Sequence, residues 1–114
     1  MSKNYLIDID GTVCDDIRNE DWHLYPTAKV YEGAVAFVNA LYDAGHYITF
    51  FTARESKDRE ATMLWLNKHG FRYHHLIMDK PRSLHGDYCW IDNKPVAGVL
   101  FQGSYEEVRK CLST

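Results

Sequence analysis

The sequence predicts an α/β protein of Rossmann-like plan, with a mainly parallel central sheet of about five strands. Three observations carry this expectation. Short apolar runs rich in aromatic and β-branched residues recur along the chain. Between the first of them, apolar residues repeat at helical spacing. Glycines follow those stretches, where helices end. Strands alternating with helices give a parallel sheet with helices on its faces.

Taken in order, residues 4–9 read as a buried strand. Residues 13–32 are polar and aromatic, include Pro26 and show no clean period; they read as a long excursion, with room for a short hairpin. Ala34, Phe37, Val38 and Leu41 mark one helix face, and Gly45 is its stop signal. Tyr47 to Phe51 is the second strand. Ala61, Leu64 and Trp65 mark the next helix face, closed by Gly70 after Lys68 and His69. Tyr73 to Met78 is the third strand. Tyr88 to Ile91 is the fourth, reached by a short polar loop, and Ala97 to Phe101 the fifth. Ser104-Tyr105-Glu106-Glu107 has the form of a capping box, so a last helix begins there. No repeat, low-complexity tract or linker interrupts residues 1–114, which read as a single domain.

Composition narrows the function. The 114 residues are 46% hydrophobic and 25% charged, as in a folded globular protein. A net charge of −3 counts against nucleic acid as the main partner, since phosphate backbones are met by clustered Lys and Arg. No apolar run approaches the roughly 18 residues that span a membrane. Met1-Ser2-Lys3-Asn4 runs straight into the first strand and leaves no room for a signal peptide. Cys14, Cys89 and Cys111 are odd in number and widely spaced, which argues against a disulfide framework or zinc site and for a reducing cytoplasm.

The chemistry starts at Tyr5-Leu6-Ile7-Asp8-Ile9-Asp10-Gly11-Thr12-Val13. Strand side chains alternate faces, so Asp8 and Asp10 leave the strand end on one side. Two carboxylates that close repel unless charge is offset, and a divalent cation with oxygen ligands, Mg²⁺, is the natural partner. Ligands of open α/β sheets bind beyond the carboxyl ends of the strands. There the sequence offers Asp8, then Thr52-Ala53-Arg54, then Asp79-Lys80-Pro81-Arg82, then Asp92-Asn93-Lys94. This is an inventory for phosphate and metal. Each residue also has an ordinary reading. Asp10-Gly11 makes a turn, Thr52 caps one, Lys80 is a solvated lysine, and Asp92-Asn93 is turn chemistry. Order and strand placement weigh for function.

Those motifs resemble the haloacid dehalogenase (HAD) superfamily of phosphohydrolases over essentially the whole chain. Asp8-Ile9-Asp10-Gly11-Thr12 matches its first motif, Thr52 its second, Lys80 its third and Asp92 its fourth. The resemblance implies a HAD-like three-layer sandwich and a Mg²⁺-dependent phosphomonoester hydrolase. Asp8 would be the nucleophile forming an aspartyl-phosphate, and Asp10 the general acid and base. Thr52 and Lys80 would act on the phosphoryl oxygens. Gly11, Ala53 and Arg54 would help bind phosphate. Mg²⁺ would lie on Asp8, the Asp10 carbonyl and Asp92. Dehalogenases of the superfamily lack the carboxylate that Asp10 supplies, so phosphoryl transfer to water is the better reading.

Two departures matter. Asn93 stands where a second acidic residue is frequent, which weakens the expected metal site. No cap domain fits between Val13 and Gly33, so this looks like a capless member with residues 14–31 as a flap. The similar capless proteins with Phe-Thr-x-Arg after strand two suggest a sugar phosphate as the phosphorylated small molecule. A homo-oligomer is one source of the missing lid. Nucleic-acid ends, phosphoproteins and a non-catalytic metal- or phosphate-binding role are the alternatives. Trp22, His23 and Tyr25 are expected to pack the flap down, His74 and His75 to be structural, and Cys14 to be a small buried filler. Arg82 and His85, in the loop before strand four, have no assigned role.

Overall fold

The computed structural model describes residues 2–113. It divides into two compact units, Met1–Lys80 and Pro81–Thr114.

The first unit holds a parallel sheet of three strands in the order β1 (Asn4–Ile7), β2 (Tyr47–Phe51), β3 (His75–Ile77). Ile7 lies opposite Phe50, and Phe51 opposite Ile77. Helix α1 (Ala34–Asp43) connects β1 to β2, and α2 (Arg59–Lys68) connects β2 to β3. Ala34, Phe37 and Val38 bury the expected face of α1. In α2 the buried residues are Thr62, Trp65 and Leu66, so the core face is rotated from the expected one and Leu64 is left exposed. Both helices close in the same way. Gly45 and Gly70 take positive φ, of 91° and 82°. The following amides, of His46 and Phe71, reach back to the carbonyls of Leu41 and Leu66, at 3.1 Å each. This double closure satisfies carbonyls that a helix end leaves bare. Ile48, Phe50, Trp65, Leu66, Phe71 and Leu76 are the centre of the core.

The flap is pinned at its base. Cys14 bridges Val30 in antiparallel fashion, Asp15 N–H donates to Lys29 O and Tyr31 N–H to Val13 O. Its tip, Asn19–Thr27, forms two short 3₁₀ segments broken at Asp21. Trp65 Nε1 donates to Ala28 O at 3.1 Å, tying the flap to α2.

The second unit carries α3 (Tyr105–Leu112). Ser104 Oγ accepts from Glu107 N–H, so the serine half of the expected capping box forms. The fourth and fifth strands expected at 88–91 and 97–101 are not formed, and the described residues contain three strands. Ile91 is 92% exposed and Leu100 79%. A further parallel strand needs a crossover of a dozen residues or more, usually a helix. Between β3 and Tyr88 the chain has a proline and one short turn, Ser83–His85. A β-rich composition without that crossover did not make a strand.

Candidate active site

Asp8 and Asp10 follow the end of β1, as the alternation of the strand requires. Their surroundings differ. Asp8 Oδ1 accepts from Lys80 Nζ at 3.0 Å, and its Oδ2 from Thr12 Oγ1 at 3.1 Å. About a third of its side chain, 35%, is open to solvent. Asp10 is gripped at both oxygens by one guanidinium: Arg54 Nη2 donates to Oδ1 at 2.8 Å and Nε to Oδ2 at 2.9 Å. Burial pushes the Asp10 carboxyl above its ordinary range, the Arg54 guanidinium opposes that, and the Asp8 and Asp16 carboxylates add to it.

The main chain brings the cations there. Beyond the regular sheet, Thr52 N–H donates to Ile77 O at 2.9 Å, Lys80 N–H to Thr52 O at 2.9 Å and Asp79 N–H to Arg54 O at 2.8 Å. The ends of β2 and β3 are thus zipped together, and Thr52, Arg54 and Lys80 arrive as a set. Asp79 turns the chain with φ of 64°, and its carboxylate accepts from Ser56 N–H and Ser56 Oγ. Thr52 is buried and its oxygen accepts from Arg54 N–H at 3.1 Å, so its own hydroxyl proton is what it can offer a ligand.

The resemblance implies Arg54 as one of the phosphate binders. In the structure it is fully buried, it holds Asp10, and its Nη1 donates to Thr62 Oγ1 at 3.1 Å, so its described bonds are to the protein itself. A buried guanidinium needs a carboxylate and hydroxyls around it, and all are supplied from within. Gly11 also bonds within the protein. Its N–H donates to Cys14 O at 2.9 Å rather than facing a ligand. Its φ is 79°, and a Cβ there would meet Asp16 Cγ at 3.1 Å, so the position needs glycine for the turn itself. Ala53 O accepts from Asn19 Nδ2 of the flap at 2.9 Å.

Asp92 lies in the second unit. Trp90 Nε1 and Lys94 N–H both donate to its exposed carboxylate, and these bonds hold its carboxyl below the usual range. Among the described residues, no group of three or more His, Cys, Asp or Glu is placed to hold a metal ion. Both Asp10 carboxylate oxygens are clamped by Arg54, whereas Asp8, though it accepts from Lys80 and Thr12, is more open; Asp8 and the main-chain carbonyl of Asp10 are thus the oxygen donors of the type a hard cation takes. Mg²⁺ commonly takes one or two carboxylates and completes its shell with water and phosphate, so donors of this type would suit it.

Several participants are not visible in sequence patterns. Tyr25, Asn19 and Thr62 all serve Arg54 or its loop across 8 to 34 residues. Their residue types carry no motif, and only the two-residue step from Thr52 to Arg54 could have singled out that arginine. The fully buried Cys14 lies beside Asp10 at 3.8 Å, and burial pushes its thiol up to about 12. No helix among the described residues is long and apolar enough to cross a membrane.

Comparison with known proteins adds family and fold. The model of the LNS2 domain of PITM 1-3 matches residues 5–91. A chain of the Pnkp1/Rnl/Hen1 RNA repair complex superposes with a TM-score of 0.61 at 20% identity, over 68% of this chain and 25% of that one. A second structure of a Pnkp1/Rnl/Hen1 complex gives 0.59 at 20% identity, over 68% and 28%. This chain therefore spans about a quarter of the length of those two. A crystal structure from Vibrio cholerae gives 0.60 at 21% identity and matches end to end, over 99% and 98%. At these identities the likeness is one of fold. No curated protein matches the chain.

Proposed function

The chain belongs to the family of the LNS2 domain of PITM 1-3, and from that premise we propose that it is a phosphomonoester hydrolase of haloacid dehalogenase type. One observation carries the reading. Two carboxylates two residues apart at a strand end are held by different cations, Asp8 by Lys80 and Asp10 by Arg54. Pairs of titratable groups in contrasting environments are how acid and nucleophile are told apart.

Asp8, open to solvent and facing Lys80, attacks phosphorus in line and takes the phosphoryl group as an aspartyl-phosphate. Asp10, whose carboxyl burial raises, gives its proton to the leaving alkoxide. It then takes a proton from water, whose oxygen attacks the aspartyl-phosphate and returns Asp8 and inorganic phosphate. Lys80 offsets the charge of Asp8 and of the phosphoryl oxygens. Thr52 Oγ1 and the Ala53 N–H are assigned to those oxygens as donors. Mg²⁺, held by Asp8 and the Asp10 carbonyl, would supply charge neutralisation at the phosphoryl group. Asp92, the third expected ligand, is tested by Asp92→Asn, read as a rise in the Mg²⁺ concentration needed for half-maximal turnover.

The substrate we assign is a phosphorylated small molecule, a sugar phosphate being the first class to try. Likeness to a chain from an RNA repair complex motivates a 3′-phosphorylated oligonucleotide as a second substrate, against which the net charge of −3 counts. The deciding experiment is phosphate release from p-nitrophenyl phosphate with Mg²⁺. Turnover that vanishes in Asp8→Asn supports the reading. No turnover above background, or full activity in Asp8→Asn, overturns it.

A further inference from the structure

The tip of the flap reaches Arg54, the partner of Asp10, through an aromatic ring. Tyr25 is 1% exposed, although it sits in the flap, whose Trp22 and Leu24 are exposed. Its ring lies 3.8 Å from the Arg54 guanidinium carbon, on the same guanidinium that grips Asp10. Its hydroxyl donates to Asn19 Oδ1 at 3.2 Å, and Asn19 in turn donates to Ala53 O at 2.9 Å. The tyrosine is therefore fixed at both ends, by stacking on the arginine and by a bond to the residue that anchors the flap to the loop after β2. Arg54 has Asp10 on one edge, Thr62 on another and Tyr25 across a face. Cation–π contact is strongest where water is excluded, as it is here.

We propose that Tyr25 is a positioning residue, one that from the flap holds Arg54 in the orientation in which it presents Asp10 to the leaving oxygen. This rests on the phosphatase reading for its kinetic consequence and on the geometry alone for its structural one. The flap is on this account part of the acid's scaffold. The aromatic face does the positioning, while the hydroxyl only steadies the ring.

The kinetic test compares two monoesters with Mg²⁺. Protonation matters greatly for the alkoxide of glycerol 2-phosphate and little for nitrophenolate, a good leaving group. Tyr25→Leu should lower kcat/KM for glycerol 2-phosphate about tenfold and for p-nitrophenyl phosphate by less than about threefold. Tyr25→Phe, which keeps the ring, should recover most of the loss. A purely structural residue would lower both esters alike; equal losses, or none, overturn the proposal. Thermal unfolding tests the contact without activity. Tyr25→Leu should lower Tm by several degrees in the wild-type background and by less than half as much in Arg54→Met, with Arg54→Gln, which also removes the cation, as the background where Arg54→Met does not fold. Equal drops overturn the proposal. Wild-type protein that hydrolyses neither ester overturns the phosphatase reading instead, and the unfolding cycle still decides the role of Tyr25.

Discussion

The two sides of the turn after β1 carry the same side chain in opposite settings. On the open side, Asp8 meets the Lys80 ammonium at one oxygen and the Thr12 hydroxyl at the other, with about a third of its side chain facing solvent. On the closed side, Asp10 meets a planar, buried guanidinium at both oxygens, and that guanidinium is itself held by Thr62 and Tyr25. A compact ammonium makes a single contact and leaves a carboxylate free to turn about it. A bidentate fork fixes one orientation and resists change. The difference teaches that one carboxylate is left partly open while its neighbour is held still, which suits the nucleophile and acid roles proposed for them. Both arrangements come from the same short Asp-x-Asp segment.

The comparison breaks most visibly at Asp8. Asp8→Asn should lower turnover of p-nitrophenyl phosphate by about 10³-fold or more and cost only about 1–2 kcal/mol of stability, since the pair is part-buried rather than enclosed and Asn keeps an oxygen for one of the two donors. Side-by-side activity and melting curves check both halves. Arg54→Met should do the reverse to stability. Removing one partner of a buried pair costs about 3–5 kcal/mol, to be read by urea unfolding. It also carries a pH signature. Arg54 lowers the Asp10 pKa against burial, so its loss lets that pKa rise further. A general acid works only while protonated, so the alkaline fall of kcat/KM should move to higher pH in the variant; a shift to lower pH would contradict the assignment.

Gly11→Ala tests the turn between the two sides. Forcing a left-handed residue costs about 1–2 kcal/mol, and the added Cβ crowds Asp16, so Tm should drop by several degrees. The smallest effect sharpens the comparison without mutation. Cys14 is buried beside Asp10 with its thiol pushed up to about 12, whereas Cys89 and Cys111 are exposed. A thiol reagent at pH 8 should therefore label Cys89 and Cys111 quickly and reach Cys14 only on unfolding. Rapid labelling of Cys14 would show the closed side to be open.

The legible part of the fold is the part with local rules. The first three strands, both connecting helices and the Ser104 cap follow from periodicity, glycine stops and side-chain capping, with ends shifted by a residue or two. The fourth and fifth strands were misread because a run such as Tyr88-Cys89-Trp90-Ile91 has strand composition, while pairing depends on a partner edge that composition does not describe. The rotated face of α2 has a similar cause: Leu64 and Leu66 are equal candidates in sequence, and only packing against the sheet and flap selects the second.

By itself the sequence determined that Asp8 and Asp10 emerge together at a strand end, with Thr52 and Lys80 ending the next two strands, because strand alternation and chain order are local properties. Only the tertiary structure decided which cation each carboxylate receives. Arg54 turned inward because a buried carboxylate, a hydroxyl and an aromatic face together solvate a guanidinium better than an open turn would leave Asp10. That choice depends on contacts across 8 to 44 residues, which no short motif records.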